Sequence, residues 1–260
     1  MKKVLCFIVI LLLVVFNLRS SAALATYNEG LYSYYLPGFI SGGGSWTGMA
    51  LSNDCGQSCD LEVLVFDKDG ICLVREEKSL PAGGQTSFPV LTELERTGWI
   101  YINSQLPLNG LAFMATGIPP FMADIPFVSD LMMTSEIPHI AQDSTWDTTI
   151  FICNPHEDSV TIILKNITET GEINRTYECV LLAKGSLSAS LASIFTEENN
   201  LKGKIMIVAS KGVAAFALYS NTKSGGNYFA GINAVKSQIV YDGSNKEAVD
   251  LLIRLIQNAR

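Results

Sequence analysis

Hydrophobic and polar positions alternate with a period of two along most of the chain, which is typical of strands that bury one face. In DLEVLVFD (60–67), for example, Leu61, Val63 and Val65 share one face. β-Branched and aromatic residues dominate such runs, and turn residues separate them about every 8–12 residues. The pattern predicts an all-β fold of antiparallel strands, arranged as a sandwich or a barrel.

Only the C-terminal tail, SNKEAVDLLIRLIQNAR, carries a helical pattern. Ser244 precedes Glu247 by three residues, which is the signature of a capping box. Apolar residues then recur along one stripe, at positions 248, 251, 252, 255 and 256. We predict a short amphipathic helix over 244–258 that docks on the second half of the chain.

The chain also repeats itself with an offset of 101 residues. Turn residues of the first half fall on turn residues of the second: Pro37 on Pro138, Asn53 on Asn154, Gly70 on Gly171 and Gly84 on Gly185. Later segments correspond with small changes in length, as GWIYIN (98–103) does with GKIMIV (203–208). We predict two tandem antiparallel β-sandwich modules, 26–129 and 130–237, related by internal duplication. A single larger sandwich built from both halves is the alternative.

The first 25 residues have the pattern of a signal peptide. Lysines at positions 2 and 3 precede an apolar run over 4–18, and the A-x-A at 23–25 places the cut before Thr26. The apolar run is shorter than the roughly 20 residues that span a bilayer, which favours cleavage over an uncleaved anchor. We therefore expect an exported protein, periplasmic or extracellular, with no stable membrane insertion after cleavage.

Charge narrows the range of partners. Removing residues 1–25 deletes three of the 18 basic residues and none of the 25 acidic ones, so the mature chain is strongly acidic. Binding to nucleic acid or to an anionic membrane surface needs clustered lysine and arginine. We expect no nucleic-acid partner.

Five cysteines remain after cleavage, and an oxidising compartment permits disulfides. Cys55 and Cys59 flank the short loop CGQSC and are the pair most readily joined. An odd number leaves at least one thiol unpaired. The other three cysteines, at 72, 153 and 179, are equally well explained as small buried hydrophobes on strands. No C-x₂-C pair occurs, so the sequence assigns no metal site.

Two short segments suggest ligand loops, but turns explain both. The glycines at 42–44 are not followed by the lysine and helix of a phosphate-binding loop, and DST (143–145) stands in their place in the second half. DKDG (67–70) lacks the remaining ligands of a calcium loop. Its counterpart TETG (168–171) keeps only the glycine that a hairpin turn needs.

Catalytic motifs are absent from the sequence. His139 and His156 are the only histidines, and neither lies in an H-E-x-x-H motif. No G-x-S-x-G elbow occurs either. We assign no catalytic residue and no cofactor, and we expect a protein that is not an enzyme.

Aromatic residues are the better functional candidates. Tyr34 and Tyr35 stand near the start of the mature chain, and Trp46 and Trp146 stand at nearly equivalent strand starts, one position apart after the 101-residue shift. Exposed aromatic rows on a sheet stack on sugars or anchor protein partners. We take these four as ligand-binding candidates. The alternative is that the tryptophans cap their own cores.

The segments LPGFISGGGSWTGMALSN, VLVFDKDG, SLPAGG and LAFMATG, echoed by IPHIAQDSTWDTTIFICNP, resemble the tandem repeats of exported, uncharacterised bacterial envelope proteins. The resemblance covers about residues 33–235 and implies β-sandwich modules at the cell envelope. It defines no catalytic or binding residues. The first copy departs from the repeat pattern at Gly38, where the pattern has histidine, and at Asp54, where it has proline.

These observations favour an exported, non-enzymatic structural, adhesive or binding protein of the bacterial envelope, with an envelope protein or a glycan as its partner. The alternative is a carbohydrate-binding accessory module or an extracellular hydrolase. A concave pocket that gathers two carboxylates, or a histidine with a carboxylate, would favour the enzyme. An exposed aromatic surface would favour sugar binding.

Overall fold

The computed structural model describes residues 32–90, 95–116, 121–195, 200–221, 225 and 228–237. Within these ranges the chain forms sixteen strands and one short helix, so the predicted all-β class is confirmed. The predicted signal peptide (1–25) and C-terminal helix (244–258) lie outside the described residues. None of the described helical structure has the length and apolar character to cross a membrane.

The first half forms two four-stranded antiparallel sheets. Its strands are β1 (Tyr32–Ser41), β2 (Trp46–Ser52), β3 (Cys59–Asp67), β4 (Cys72–Leu80), β5 (Gln85–Val90), β6 (Arg96–Ser104), β7 (Asn109–Thr116) and β8 (Phe121–Pro126). One sheet has the order β1-β6-β3-β4 and the other the order β5-β2-β7-β8. Leu36 and Ile100 of the first sheet and Met49 and Met114 of the second belong to one buried cluster. The two sheets therefore share a core.

The second half has the same strand order. Its elements are β9 (Met132–Ile137), β10 (Asp147–Cys153), β11 (Val160–Ile167), β12 (Ile173–Leu181), β13 (Ser186–Ser190), α1 (Leu191–Ile194), β14 (Lys204–Ser220), β15 (Phe229–Asn233) and β16 (Val235–Lys236). The first part of β14 pairs with β9 and β11, and its last part pairs with β10 and β15. The ladders thus run β9-β14-β11-β12 and β13-β10-β14-β15, and β16 adds to β9. The one-turn helix α1 was not predicted.

Two buried asparagines hold equivalent turns. The Asn53 side-chain amide donates to the carbonyls of Gln57, Leu80 and Pro81, at 2.8, 3.1 and 3.0 Å. The amide of Asn154, 101 positions later, donates to the carbonyls at 158, 181 and 182, at 2.8, 3.5 and 2.7 Å. Both side chains are fully buried. The asparagines therefore satisfy carbonyls that would otherwise lack donors in the interior.

The glycines at 42–44 form the turn between β1 and β2. All three have positive φ, at 80°, 60° and 82°, a region that side chains disfavour. In the second half the corresponding turn uses a side chain instead. Oδ1 of Asp143 accepts hydrogen bonds from the backbone N–H groups of Thr145 and Trp146, both at 2.7 Å. The segment is thus a turn in both halves, as the sequence predicts.

The sheet β13-β10-β14-β15 is buried on both faces. Ile150 and Ile152 of β10 point into the core of the second half. Phe151, between them, belongs to the core cluster of the first half and stacks on Phe216 with ring centroids 4.6 Å apart. A Cβ on Gly38 of β1 would lie 2.1 Å from the Phe151 ring, so only glycine fits there. This contact explains why the first half has glycine where the second half has His139.

A third buried cluster joins the two halves. Tyr35, Phe66 and Trp99 from the first half pack with Cys153 and Ala214 from the second. Nε1 of Trp99 donates to the Lys184 carbonyl at 2.6 Å. The halves are therefore in extensive apolar contact, with the outer face of β1, β6 and β3 against β10 and β14. The boundaries 26–129 and 130–237 stay a prediction.

Candidate functional site

Of the four aromatic candidates, Tyr35 is buried and Tyr34 is half-buried. The Tyr34 hydroxyl accepts a hydrogen bond from the backbone N–H of Leu108 at 2.8 Å, and the ring packs against the first core. Tyr35 is 9% exposed, and its ring lies 5.4 Å from that of Tyr101 in the cluster between the halves. Both tyrosines therefore hold strands together, and neither presents a free ring to solvent.

The two tryptophans differ in their surroundings. Trp46 begins β2, and its ring lies over Gly48, where an added Cβ would approach it to 2.9 Å. Trp146 precedes β10 and lines a cavity of about 540 Å³ in the second half. Of the four candidates, only Trp146 lines this cavity.

The cavity lies at one end of the second half. The first wall consists of residues 139–143 and Trp146, and the second is Glu169. Residues 200–203 form the third wall. The fourth consists of Tyr219 at the end of β14 with Tyr228 and Ala230 at the start of β15. Hydrogen bonds tie the first and third segments together, since Leu201 N–H donates to the Gln142 carbonyl at 2.9 Å and Ile140 N–H donates to the Gly203 carbonyl at 3.1 Å. The walls therefore form one rigid rim.

Four aromatic rings line the cavity as two pairs. The rings of Trp146 and Tyr228 lie 5.8 Å apart, with their planes tilted by 48°. Those of His139 and Tyr219 lie 6.2 Å apart, with the same tilt. Tyr228 is 67% exposed, so its ring is open to solvent and to a ligand.

The local sequence holds these rings in place. The Asp143 turn fixes the backbone of Trp146. The Tyr219 hydroxyl donates to the His139 carbonyl at 2.6 Å, and burial raises the pKa of Tyr219 to about 12, so its phenol stays neutral. The backbone N–H of Tyr228 donates to Oδ1 of Asn221 at 2.8 Å.

Charged and amide groups share the rim with the rings. Backbone hydrogen bonds from Trp146 and Thr145 lower the pKa of Asp143, and the charge of Lys202 lowers it further. Asp143 is therefore a carboxylate at neutral pH. Glu169 stands in the exposed turn between β11 and β12, and Asn200 adds an amide.

A second cavity, of about 770 Å³, lies in the first half against β3, β4 and β6. Its walls are polar, with an ion pair between Arg75 and Glu62 and with Asn103 and Lys78 beside it. It contains no aromatic ring among its lining residues. This cavity offers hydrogen bonds and charge but no apolar surface for stacking.

The predicted Cys55–Cys59 disulfide is not formed in the structure, where both residues are free thiols. Cys59 begins β3 and is fully buried, with Sγ 3.9 Å from the Leu106 carbonyl oxygen. Sγ of Cys55 instead lies 3.9 Å from the Pro107 carbonyl oxygen, on the partly exposed loop. Among the residues that the structure describes, no group of three His, Cys, Asp or Glu side chains could hold a metal ion.

Sequence reasoning missed most of the cavity. It singled out Trp146, and it mentioned His139 only for lacking a motif. Tyr219 and Tyr228 carried no signal, because they come from β14 and from the segment before β15, more than seventy positions after Trp146. Only the fold brings these side chains together.

Comparisons with known proteins place the chain in no family. No protein-family model matches it, and no curated protein matches it. The crystal structure of Thermotoga maritima 1070 is 11% identical with a TM-score of 0.34, over 39% of this chain and 96% of that one. A Bacteroides uniformis β-glucuronidase is 8% identical with a TM-score of 0.19, over 74% of this chain and 24% of that one.

A β-glucuronidase from glycoside hydrolase family 2 is 7% identical with a TM-score of 0.19, over 79% of this chain and 23% of that one. The chain thus spans about a quarter of the length of these two glucuronidases. Similarities at these TM-scores identify neither a family nor an activity for this chain.

Proposed function

We propose that this chain is an exported, non-enzymatic binding protein of the bacterial envelope, and that it holds a glycan in the aromatic cavity of its second half. One observation carries the proposal: Trp146 and Tyr228 meet at the mouth of a cavity of about 540 Å³, and the Tyr228 ring is 67% exposed. Small-molecule sites commonly have volumes of about 300–1,000 Å³.

The chemistry of the lining suits a sugar. The C–H face of a sugar ring is apolar and stacks on aromatic side chains, whose rings offer large rigid surfaces. Its hydroxyl groups need donors and acceptors around the edge. Asn200, Asp143 and Glu169 supply amide and carboxylate groups at the rim of the same cavity.

The polar groups suit binding better than catalysis. A general acid or base works best with a pKa near the working pH. Asp143 has its pKa lowered by the hydrogen bonds that make its turn, so this carboxylate is a poor proton donor at neutral pH. Its structural task is to fix Trp146.

An extracellular hydrolase is the second candidate, because His139, Asp143 and Glu169 line the same cavity. Most glycosidases use two carboxylate side chains that flank the bound sugar as their catalytic residues. In that case Glu169→Gln would abolish release of reducing sugar without weakening binding. We expect instead no release of reducing sugar by the unaltered chain, so that Glu169→Gln affects affinity alone.

We also propose that the two halves are β-sandwich modules that arose by duplication. The matching strand orders and the matching hydrogen bonds of Asn53 and Asn154 support this. Thr47 and Thr148 support it too, since each side chain bonds both backbone groups of the residue seven positions earlier. Export rests on the signal pattern of residues 1–25.

Binding to a glycan array, followed by calorimetric titration of the best glycan, tests the proposal. The chain beginning at Thr26 should bind at least one oligosaccharide, and Trp146→Ala should weaken binding at least tenfold, as expected for the loss of a stacking partner. Trp46→Ala is the matched control and should leave the affinity unchanged. No binding to any glycan, or equal losses in both variants, would refute the proposal.

A further inference from the structure

The sheet β9-β14-β11-β12 buries an apolar cluster on its outer face. Ile163 of β11 is 2% exposed, and Met206 and Val208 of β14 are 7% and 0% exposed. Ile163 lies opposite Val208 in the ladder, and Lys165 lies opposite Met206, so these side chains share one face. Their neighbours Ile162 and Ile207 point the other way, into the core. We name the cluster of Ile163, Met206 and Val208 the outer patch.

Within the described part of the chain, no apolar side chain from a strand other than β11 and β14 packs in the outer patch. The cluster contains side chains of β11 and β14 only, with Ile167 of β11 at its border. The equivalent face of the first half is covered, because Leu64 and Trp99 there pack against Cys153 and Ala214 of the second half. A face of a sheet that is buried to this degree needs a layer over it.

We propose that residues 244–258 form this layer, docking as an amphipathic helix across the outer patch. The described chain ends beside this sheet, because β16 pairs with β9 and the Ser237 N–H donates to the Thr134 carbonyl at 3.4 Å. The tail that follows carries the one apolar stripe of helical period in the sequence, at 248, 251, 252, 255 and 256. The occupant is therefore a segment of this chain.

The dimensions agree with this placement. A helix over 244–258 is about 22 Å long at a rise of 1.5 Å per residue, and four strands at about 4.8 Å spacing are about 14 Å wide. The linker 238–243 reaches roughly 20 Å when extended. The tail can therefore cross the sheet from the β9 edge to β12.

The charges on the sheet face and on the tail are also consistent with this docking. Lys165 lies on the same face and is only 5% exposed, and none of the described acidic side chains pairs with it. A buried ammonium group needs a partner. Glu247 borders the apolar stripe of the tail and supplies a carboxylate for it.

Methionine-methyl NMR tests the proposal, because Met206 reports on the outer patch while Met49 and Met114, in the core of the first half, are internal controls. The full chain and the chain beginning at Thr26 are both used. Leu252→Asp puts a charge on the stripe, and Gln257→Asp is the matched control, because residue 257 lies on the opposite face of the helix. Leu252→Ala is the milder variant if Leu252→Asp does not fold.

We expect either Leu252 variant to shift the Met206 signal, to leave the Met49 and Met114 signals in place, and to lower Tm by about 5 °C. Gln257→Asp should do none of these. A peptide of residues 241–260, added to the Leu252 variant, should restore the Met206 signal. An unmoved Met206 signal in both Leu252 variants would overturn the proposal, and so would a Met206 signal that changes only when residues 1–25 are removed.

Discussion

The α-carbon of Gly70 lies directly against the backbone of Ala183, so that an added Cβ would stand 2.1 Å from the Ala183 carbonyl oxygen. Gly70 is in the β3–β4 turn of the first half, and Ala183 is in the β12–β13 turn of the second. The neighbouring N–H of Ser186 donates to the Lys68 carbonyl at 2.9 Å. The β3–β4 turn and the β12–β13 turn are therefore in direct backbone contact.

This contact predicts unequal effects of two matched substitutions. Gly70 and Gly171 both have φ of 88°, but nothing lies within 4 Å of a Cβ at Gly171. We expect Gly171→Ala to lower the free energy of unfolding by about 1 kcal/mol, because the positive φ is unfavourable for any residue with a side chain. Gly70→Ala should lower it by about 3 kcal/mol or more, because the backbone of the other half must also move. Urea unfolding measures both free energies. Equal losses of stability in the two variants would mean that the Gly70 turn does not contact the second half.

The two buried asparagines should be equally important to stability. Asn53→Ala and Asn154→Ala each remove a side chain whose amide satisfies three carbonyls. We expect each to lower the free energy of unfolding by about 3 kcal/mol, since the buried carbonyls lose their donors. Gln57→Ala, an exposed change in the same loop, should stay within about 0.5 kcal/mol. A small effect at only one asparagine would contradict their equivalence.

Tyr219 gives a pH dependence with a defined sign. Its pKa is raised by burial to about 12 from an ordinary value near 10, so the fold favours the neutral phenol. This contribution to stability is fully present below about pH 10 and is lost as the pH rises towards 12. We expect the free energy of unfolding to fall more steeply over that window in the unaltered chain than in Tyr219→Phe. Identical slopes would show that Tyr219 titrates normally.

The hydrophobic alternation correctly predicted the all-β class, and the 101-residue offset aligned residues that make matching hydrogen bonds. Asn53 and Asn154 aligned without gaps because each holds a turn of fixed length, and an insertion there would break its hydrogen bonds. The glycines at 42–44 were correctly interpreted as a turn, because φ above zero is a local demand that the residue type reveals.

The burial of Tyr35 could not be predicted in this way. A period-two pattern shows that a strand has two different faces, but the outer face of β1 is buried only because β10 and β14 of the other half lie on it. The same reason hides the role of Gly38, whose missing side chain makes room for Phe151. Packing between halves leaves no local pattern in the sequence.

The aromatic cavity was predictable only through Trp146. Its other rings come from distant strands. Tyr228 falls on Phe121 of the first half, but Tyr219 and His139 have no aromatic counterpart there. Met114, for instance, pairs with Thr47 as Tyr219 pairs with Thr148, and Met114 is fully buried in the core. The cavity is therefore a property of the second half that the repeat itself does not encode.

A crystal structure of the chain soaked with its best-binding oligosaccharide tests the central claim most directly. We expect a sugar ring stacked on Trp146 or Tyr228 at van der Waals distance, about 3.5–4.5 Å, with hydroxyl groups bonded to Asn200, Asp143 or Glu169. Density for the sugar in the polar cavity of the first half, or an empty aromatic cavity at saturating ligand, would contradict it.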